Sequence, residues 1–271
     1  MISALVVLAP MIKQINIDNR LATIILAAGK GVRMRSEKAK VLHLFHSIPL
    51  VHYPLKVAQK IGSCRILVVV GHQAKKVKKV FPVGEVEFVE QKERLGSGHA
   101  VLQTQPLLEG FPGDIMILSG DVPFLKAETL KNLVQIQRER KTALSFLTTV
   151  LSDPTGYGRI VRTADSRVIR IVEERDAALK EKDIREINGG IYCVRQDFLY
   201  VALAQIGRKN NQGEYYLTDL VEIASSQGLE VVGYKIANSM ELLGINTPEE
   251  LAGLETLWTK NNNVEERYNS S

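Results

Sequence analysis

Five consecutive apolar residues, Ile66-Leu67-Val68-Val69-Val70, constrain the fold more than any other segment of the chain. A strand with one wet face alternates apolar and polar side chains, so an unbroken β-branched run reads as a strand covered on both faces, as in parallel sheets. Around it, short apolar runs alternate with stretches of helical period, which argues for βαβ units and a mainly parallel sheet flanked by helices, a Rossmann-like α/β architecture. Strands are expected at Leu21 to Ala27, Arg65 to Gly71, Glu85 to Val89 and Asp114 to Leu118. Helices are expected near Leu50 to Ile61, Gln73 to Val80, Gly98 to Leu107 and Lys126 to Arg140. After about residue 142 the runs shorten to Ala143 to Val150, Arg159 to Val161, Val168 to Glu173 and Gly190 to Val194, a pattern that predicts a sheet extension walling a pocket. Thr247-Pro248-Glu249-Glu250 has the N-cap, the first-turn proline and the third-position Glu of a capping box, which predicts a helix running to about Lys260.

The 271 residues, 45% of them hydrophobic, suffice for a sizeable core. The expected organisation is an extension over 1–20, with Met11 an alternative start, a globular unit over 21–246 divided near 141/142, and a helix and tail over 247–271. Thirty-five Lys and Arg against 30 Asp and Glu leave a net charge of only +5, too mild to indicate a nucleic-acid protein and well suited to small anions. The apolar stretch Met1 to Ile12 is shorter than the ~18 residues a membrane span needs and lacks a signal peptide's basic start and cleavage site. Cys64 and Cys193 are far apart, so neither a disulfide framework nor a Cys-rich metal site is expected; a reducing cytoplasm is.

The chemistry gathers at the turn Leu26-Ala27-Ala28-Gly29-Lys30-Gly31-Val32-Arg33-Met34, directly after the first strand, where open α/β sheets bind ligands. Glycines there let backbone N–H groups approach phosphate oxygens. A dinucleotide turn is excluded because its sixth position is Met34, and a Walker A loop because no GK[ST] follows. A glycine turn carrying Arg33, with Lys40 downstream, remains.

Seven segments in order carry a resemblance: LAAGKGVRM with Lys40-Val41-Leu42-His43; Gln91 with Leu95-Gly96-Ser97-Gly98-His99-Ala100; Gly120-Asp121-Val122-Pro123; Tyr157-Gly158-Arg159-Ile160-Val161; Val172-Glu173-Glu174; Glu186-Ile187-Asn188; and Gly213 to Asp219. From Leu21 to Asn246 the chain resembles the sugar-1-phosphate nucleotidyltransferases, in particular the uridyltransferase domains of bacterial bifunctional enzymes that also carry glucosamine-1-phosphate acetyltransferase. The resemblance implies a nucleotide-binding half over 21–141, a sugar-binding half over 142–246, and Mg²⁺-dependent formation of UDP-N-acetylglucosamine and pyrophosphate from UTP and N-acetylglucosamine 1-phosphate. No nucleic acid or membrane partner is implied, and the oligomeric state stays open.

The nucleophile in such a reaction is already an anion, so no general base is required. Repulsion is the obstacle, since two unit charges 4 Å apart interact by roughly 4 kcal/mol at an effective dielectric near 20. By resemblance Arg33 holds the β and γ phosphates, Lys40 neutralises charge at the α-phosphate, and Asp121 with Asn246, from Gly244-Ile245-Asn246, holds Mg²⁺. Leu26, Ala27, Ala28 and Gly29 with Gln91, Gly96, Ser97 and Ser119 form the nucleotide wall, and Gly158, Glu173, Asn188, Tyr216 and Thr218 the sugar wall. Blander readings stand beside these: Asp121 as a turn residue, Asn246 as helix-entry chemistry, Glu173 as a surface partner of Arg170 or Arg175. His43 and His46 fit one helical face without a third ligand, and Lys75 to Lys79 reads as a solvated face.

Three departures from the family pattern carry expectations. Ala39 stands where the family has Pro, which loosens the loop presenting Lys40. Gly189 stands where it has Thr, which opens the alternatives of another sugar or of dTTP. The chain given carries no hexapeptide repeats up to Ser271, so acetyl transfer is not expected of it. A catalytically silent nucleotide-sugar-binding regulatory subunit is the reading from another class.

Overall fold

The structure, a computed structural model, describes residues 20–256 and 258. The expected extension before Arg20, Met11 included, and the last residues of the C-terminal helix and tail lie outside the described residues; Arg20 itself opens the first strand. From there come β1 (Arg20–Ala27), two 3-10 turns at Val32–Met34 and Lys40–Leu42, a small hairpin of β2 (Leu44–Phe45) and β3 (Ile48–Pro49), α1 (His52–Lys60), β4 (Arg65–Val70) and α2 (Ala74–Lys78). β5 (Glu87–Glu90), α3 (Ser97–Leu102), α4 (Gln105–Leu108), β6 (Gly113–Ser119), α5 (Ala127–Arg140) and β7 (Leu144–Val150) follow. The remainder comprises β8 (Arg159–Arg162), β9 (Val168–Val172), α6 (Leu179–Lys182), β10 (Glu186–Arg195), α7 (Gln196–Leu203), α8 (Asp219–Ser226), β11 (Val231–Lys235) and α9 (248–256).

One nine-stranded sheet runs β11-β7-β10-β6-β1-β4-β5, with β8 joined to β10 and β9 to β8. β1 pairs in parallel with β4 and β6, β4 with β5, and β11 with β7, whereas β10 lies antiparallel to both β6 and β7. Burial follows the two-residue period. Ala22, Ile24, Leu67, Val69, Ile115 and Ile117 share one core with apolar residues of α3, α7 and α8. Leu21, Ile25, Val68, Val70, Met116 and Leu118 share another with α1, α2 and α5 on the opposite face. Ile66 to Val70 is buried throughout, as a strand sandwiched between two helical layers must be.

Where sequence and structure differ, local causes are visible. The single helix expected over Gly98 to Leu107 is two, because Pro106 sits in the first turn of α4, where its missing N–H is tolerated, and Thr104 Oγ1 donates to the Val101 carbonyl at 2.6 Å. β10 begins four residues before the expected Gly190, since the Gly189-Gly190 pair carries a register shift between Asn188 and Tyr192, with Gly190 at φ +69°. α6, α7, α8 and β11 were not anticipated. His43 and His46 share no helical face: His43 is in extended backbone after a 3-10 turn and His46, at φ +45°, turns β2 into β3. Among the described residues no group of three or more His, Cys, Asp or Glu could hold a metal. Across α2 and the residue after it Val77 is buried and Lys75, Lys76 and Lys79 are exposed, as expected of a solvated face, but Lys78 is half-buried, paired with Glu90 at 3.8 Å and set over the Phe88 ring.

The capping box forms as the sequence predicts. Thr247 Oγ1 accepts the Glu250 N–H at 3.1 Å, and Glu250 Oε2 accepts from Thr247 at 3.3 Å and Asn246 at 2.6 Å. α9 then lays Leu254 into a small core with Phe45, Phe124 and Ile245.

The seam between the first and second halves depends on Gly96. Tyr215 N donates to Leu95 O at 2.7 Å, Gly98 N to Tyr215 O at 2.8 Å and Leu217 N to Ser97 Oγ at 3.1 Å. Gly96 lies at φ +109°, and a Cβ there would stand 2.5 Å from the Tyr215 carbonyl oxygen. Gly96→Ala should therefore cost about 2 kcal/mol, read as a fall in Tm of roughly 5 °C by calorimetry.

Candidate active site

β1 and β6 are parallel neighbours, and their carboxyl ends open the crevice. Gly120 N donates to Leu26 O at 3.0 Å, and a Cβ at Gly120 would lie 2.6 Å from the same oxygen, so only glycine lets the chain leave β6 pressed against β1. Asp121 is thereby delivered to the crevice floor. A cavity of about 510 Å³ opens there, lined by Leu26, Ala28, Gly29, Gln91, Gly96, Ser97, Ser119 and Asp121. A second, of about 500 Å³, is lined by Arg33, Gly156, Glu173, Glu174, Gln212 and Asn246. Gly29, Gly31, Val32 and Lys40 line both, so the glycine turn and Lys40 divide one continuous trough into two chambers.

Four side chains that the sequence singles out meet at this divide. Gly31, at φ +66°, folds directly over Lys40; a Cβ there would lie 2.5 Å from the Lys40 Cβ. Lys40 Nζ pairs with Asp121 Oδ2 and donates to Asn246 Oδ1 at 2.9 Å, and Arg33 Nη2 donates to that same oxygen at 2.9 Å. Lys40 and Asp121 are only 19% and 14% exposed, so their charges interact under weak screening. Asn246 is held by its surroundings. Ile245 N donates to Asp121 O at 3.0 Å, and Glu250 of the capping box takes the Asn246 N–H. A carboxylate and an amide oxygen converging on one cation form a hard donor pair that fits Mg²⁺, which takes few protein oxygens.

In the first chamber Gln91 is 3% exposed, and its Nε2 reaches the Gly96 carbonyl and His99 Nδ1, each at 3.0 Å. Its amide nitrogen is thus committed within the protein. Ala27, expected in the nucleotide wall, turns its side chain into the opposite core; only its backbone faces the strand end.

In the second chamber Glu173 accepts from Thr218 Oγ1 at 3.0 Å, while Arg170 pairs with Glu181, so the surface-partner reading of Glu173 does not hold. Burial pushes the Glu173 carboxyl above its ordinary range, reinforced by Asp176 and Glu214. Tyr216 is buried, donating to Asp176 Oδ2 at 3.0 Å and accepting from Gln212 Nε2 at 2.8 Å. Asn188 donates to the Tyr192 hydroxyl at 2.7 Å, accepts from Gly190 N at 3.0 Å, and gives its own N–H to Gly158 O at 2.9 Å. Gly158, Tyr216 and Thr218 are buried beside Glu173, and Asn188 is half-buried.

Two departures change meaning. A Cβ at Gly189 would point at Leu242 Cδ1, 2.7 Å away, and the Leu147 carbonyl, on the side away from the chamber. A hydroxyl-bearing residue there would face the core, so Gly189 gives no reason to favour another sugar. The Ala39 loop is not loose either: Ala39 is fully buried and its N–H donates to Gln73 Oε1 at 3.2 Å.

Sequence reasoning passed over several supports. Arg159, almost wholly buried, pairs with Glu174 at 2.6 Å and bonds the Tyr157 carbonyl, while Glu174 also accepts from Gly156 N at 3.2 Å, so the pair anchors the chamber's 156–158 rim. Both lie inside quoted motifs, and an Arg amid apolar strand residues was the available signal. His99 also lies inside a quoted motif, with its partners Gln91 and Gln103 only eight and four positions away, whereas Gln73 had no signal, since Ala39 and Glu37 are distant in sequence.

Residues 22–259 match the nucleotidyl transferase family. The chain belongs to that family. It is 47% identical over 233 residues to the bifunctional protein GlmU of Geobacter metallireducens, covering 86% of this chain and 49% of that protein. Similar relatives are the GlmU proteins of Geotalea uraniireducens, at 45% identity over 86% of this chain and 51% of the relative, and of Anaeromyxobacter dehalogenans strain 2CP-C, at 46% over 86% and 48%. The chain spans about half the length of the relatives it matches. The mixed sheet, its carboxyl-end crevice and the glycine turn are the frame on which this nucleotidyl transferase builds its site.

An acidic group behind the second chamber supplies a pH test. Burial, reinforced by Glu222, Glu173 and Asp176, lifts the Asp219 carboxyl to about 6, against roughly 3.9 in an unfolded chain. Between the two values the folded state holds a proton the unfolded state has lost, so the destabilising cost of ionising Asp219 is absent below about pH 4 and fully present above about pH 6. Asp219→Asn should raise Tm at pH 8 and change it far less at pH 4.5, measured by thermal melts at both values.

Proposed function

We propose that this nucleotidyl transferase forms UDP-N-acetylglucosamine and pyrophosphate from UTP and N-acetylglucosamine 1-phosphate. The observation that carries the reading is the meeting of Arg33, Lys40, Asp121 and Asn246 where the two chambers join. A reaction between two polyanions needs cations at the point of contact, and this is where the trough concentrates them. The similarity to GlmU proteins supports the choice of substrates.

UTP takes the first chamber, with its base against Gln91, Gly96 and Ser97 and its phosphates along the Gly29–Gly31 backbone. The sugar takes the second, beside Glu173. A phosphate oxygen of the sugar attacks the α-phosphorus in line, the bond to the bridging oxygen of the β-phosphate breaks, and pyrophosphate leaves with that electron pair. No proton transfer is required of the protein. Arg33 suits a bidentate grip on the departing phosphates, and Lys40 acts as a point charge at the α-phosphate. Asp121 and Asn246 would hold Mg²⁺, which when bound supplies further charge neutralisation. For this, Lys40 exchanges its bond to Asp121 for one to phosphate. The unpaired Cys64 and Cys193 suit a reducing cytoplasm.

A turnover screen crossing UTP, dTTP, CTP and GTP with several sugar 1-phosphates, with and without Mg²⁺, tests the assignment. Pyrophosphate should appear with UTP, N-acetylglucosamine 1-phosphate and Mg²⁺ together, and silence of that pair while another turns over would refute it. Lys40→Ala and Asp121→Ala should each lower kcat by roughly 10²–10³-fold, and near-normal turnover in either would remove that residue from the proposed machinery.

A further inference from the structure

Lys40 follows a loop whose backbone is gripped by a side chain from a different βα turn. Gln73 Oε1 accepts the Ala39 N–H at 3.2 Å, and Gln73 Nε2 donates to the Glu37 carbonyl at 2.8 Å, so one carboxamide bridges two peptide groups just ahead of Lys40. His72 Nε2 lies 3.2 Å from the same Glu37 oxygen. The turn is itself tied to the glycine loop. His72 N donates to Ala28 O at 3.2 Å, and a Cβ at Gly71 would lie 2.8 Å from that oxygen. The Gly71–Gln73 turn thus touches both ends of the segment that runs from the phosphate-facing glycines to Lys40.

Gln73 stands at φ +53°, ψ +36°, a left-handed conformation in which glycine or asparagine is at ease and glutamine is not. Backbone strain of this kind persists where a side chain is needed at that place. Both polar ends of that side chain are used on the Lys40 loop. Ala39 meanwhile adopts φ −55°, ψ 136°, the conformation a proline would impose, while its N–H, which a proline would lack, is the atom gripped.

We propose that Gln73 is a positioning residue for Lys40: its carboxamide ties down the Glu37 carbonyl and the Ala39 N–H, fixing Ala39 in its extended conformation so that the Lys40 ammonium reaches the junction of the chambers. Gln73 touches no reacting atom and acts only through the backbone. The inference rests on the uridylyl-transfer reading for its activity readout, and a second readout is independent of it.

Gln73→Gly removes the carboxamide while supplying the residue the left-handed position favours. Tm should therefore hold or rise, whereas kcat should fall about tenfold with KM for UTP changed by less than about threefold. Gln73→Glu, which keeps the acceptor for Ala39 and loses the donor to Glu37, should retain more kcat than Gln73→Gly. Adding Ala39→Pro to Gln73→Gly should restore kcat, because the ring supplies the extension that the contact supplied. Hydrogen exchange at the Ala39 amide, followed by NMR in the full chain, should speed up by about tenfold or more in Gln73→Gly. If the unaltered chain releases no pyrophosphate, the proposed reaction fails and the amide exchange alone decides: faster exchange upholds the clamp and unchanged exchange overturns it. In an active enzyme, unchanged kcat in Gln73→Gly, or a loss of kcat that merely follows a fall in Tm, overturns it.

Discussion

The structure turns on one partly buried ammonium. Lys40 sits between the Asp121 carboxylate and the Asn246 amide oxygen, and Arg33 donates to that same oxygen. Breaking a shielded ion pair by removing one member costs more than the pair contributes, because the partner is left charged in a poorly solvating place. Each member is accordingly supported by its surroundings: Lys40 by the glycine loop folded over it, Asp121 through Gly120 pressed on β1, and Asn246 through the bond of its neighbour Ile245 to Asp121 O and its own N–H to the Glu250 carboxylate.

The fold makes this possible by where it places strand ends. β1 lies between β4 on one side and β6 on the other, all three parallel, so the loops after them rise at one edge. The loop after β1 carries Arg33 and Lys40, that after β6 carries Asp121, and that after β4 carries Gln73. Antiparallel β10 then changes the direction of the sheet and brings the second half across to form the other chamber. The Leu95–Gly98 to Tyr215–Leu217 seam closes the two halves with two main-chain hydrogen bonds and one to the Ser97 hydroxyl, a close approach that tolerates no added side chain at Gly96.

The parallel strands were legible because burial on both faces forces an unmistakable composition, as Ile66 to Val70 shows. The capping box at Thr247 was legible because its partners are three residues apart. The split between α3 and α4 was missed although Pro106 announces it, and the length of β10 was missed because a glycine pair signals a turn more often than a bulge. Gly189 misled for a related reason. Its residue type differs from the family pattern near a site residue, but strand alternation sends its Cβ direction to Leu242 rather than to the chamber.

By itself the sequence determined the class of sheet, the glycine turn after β1 and the cationic residue types, since these follow from local composition and short spacing. Only the tertiary structure decided which groups meet. Arg33 and Asn246 are 213 positions apart, Lys40 and Asp121 81, and Gln73 and Ala39 34. Such meetings depend on strand order and on close approaches at Gly31, Gly96 and Gly120, and a linear pattern carries no distance between residues that only the folded sheet brings together.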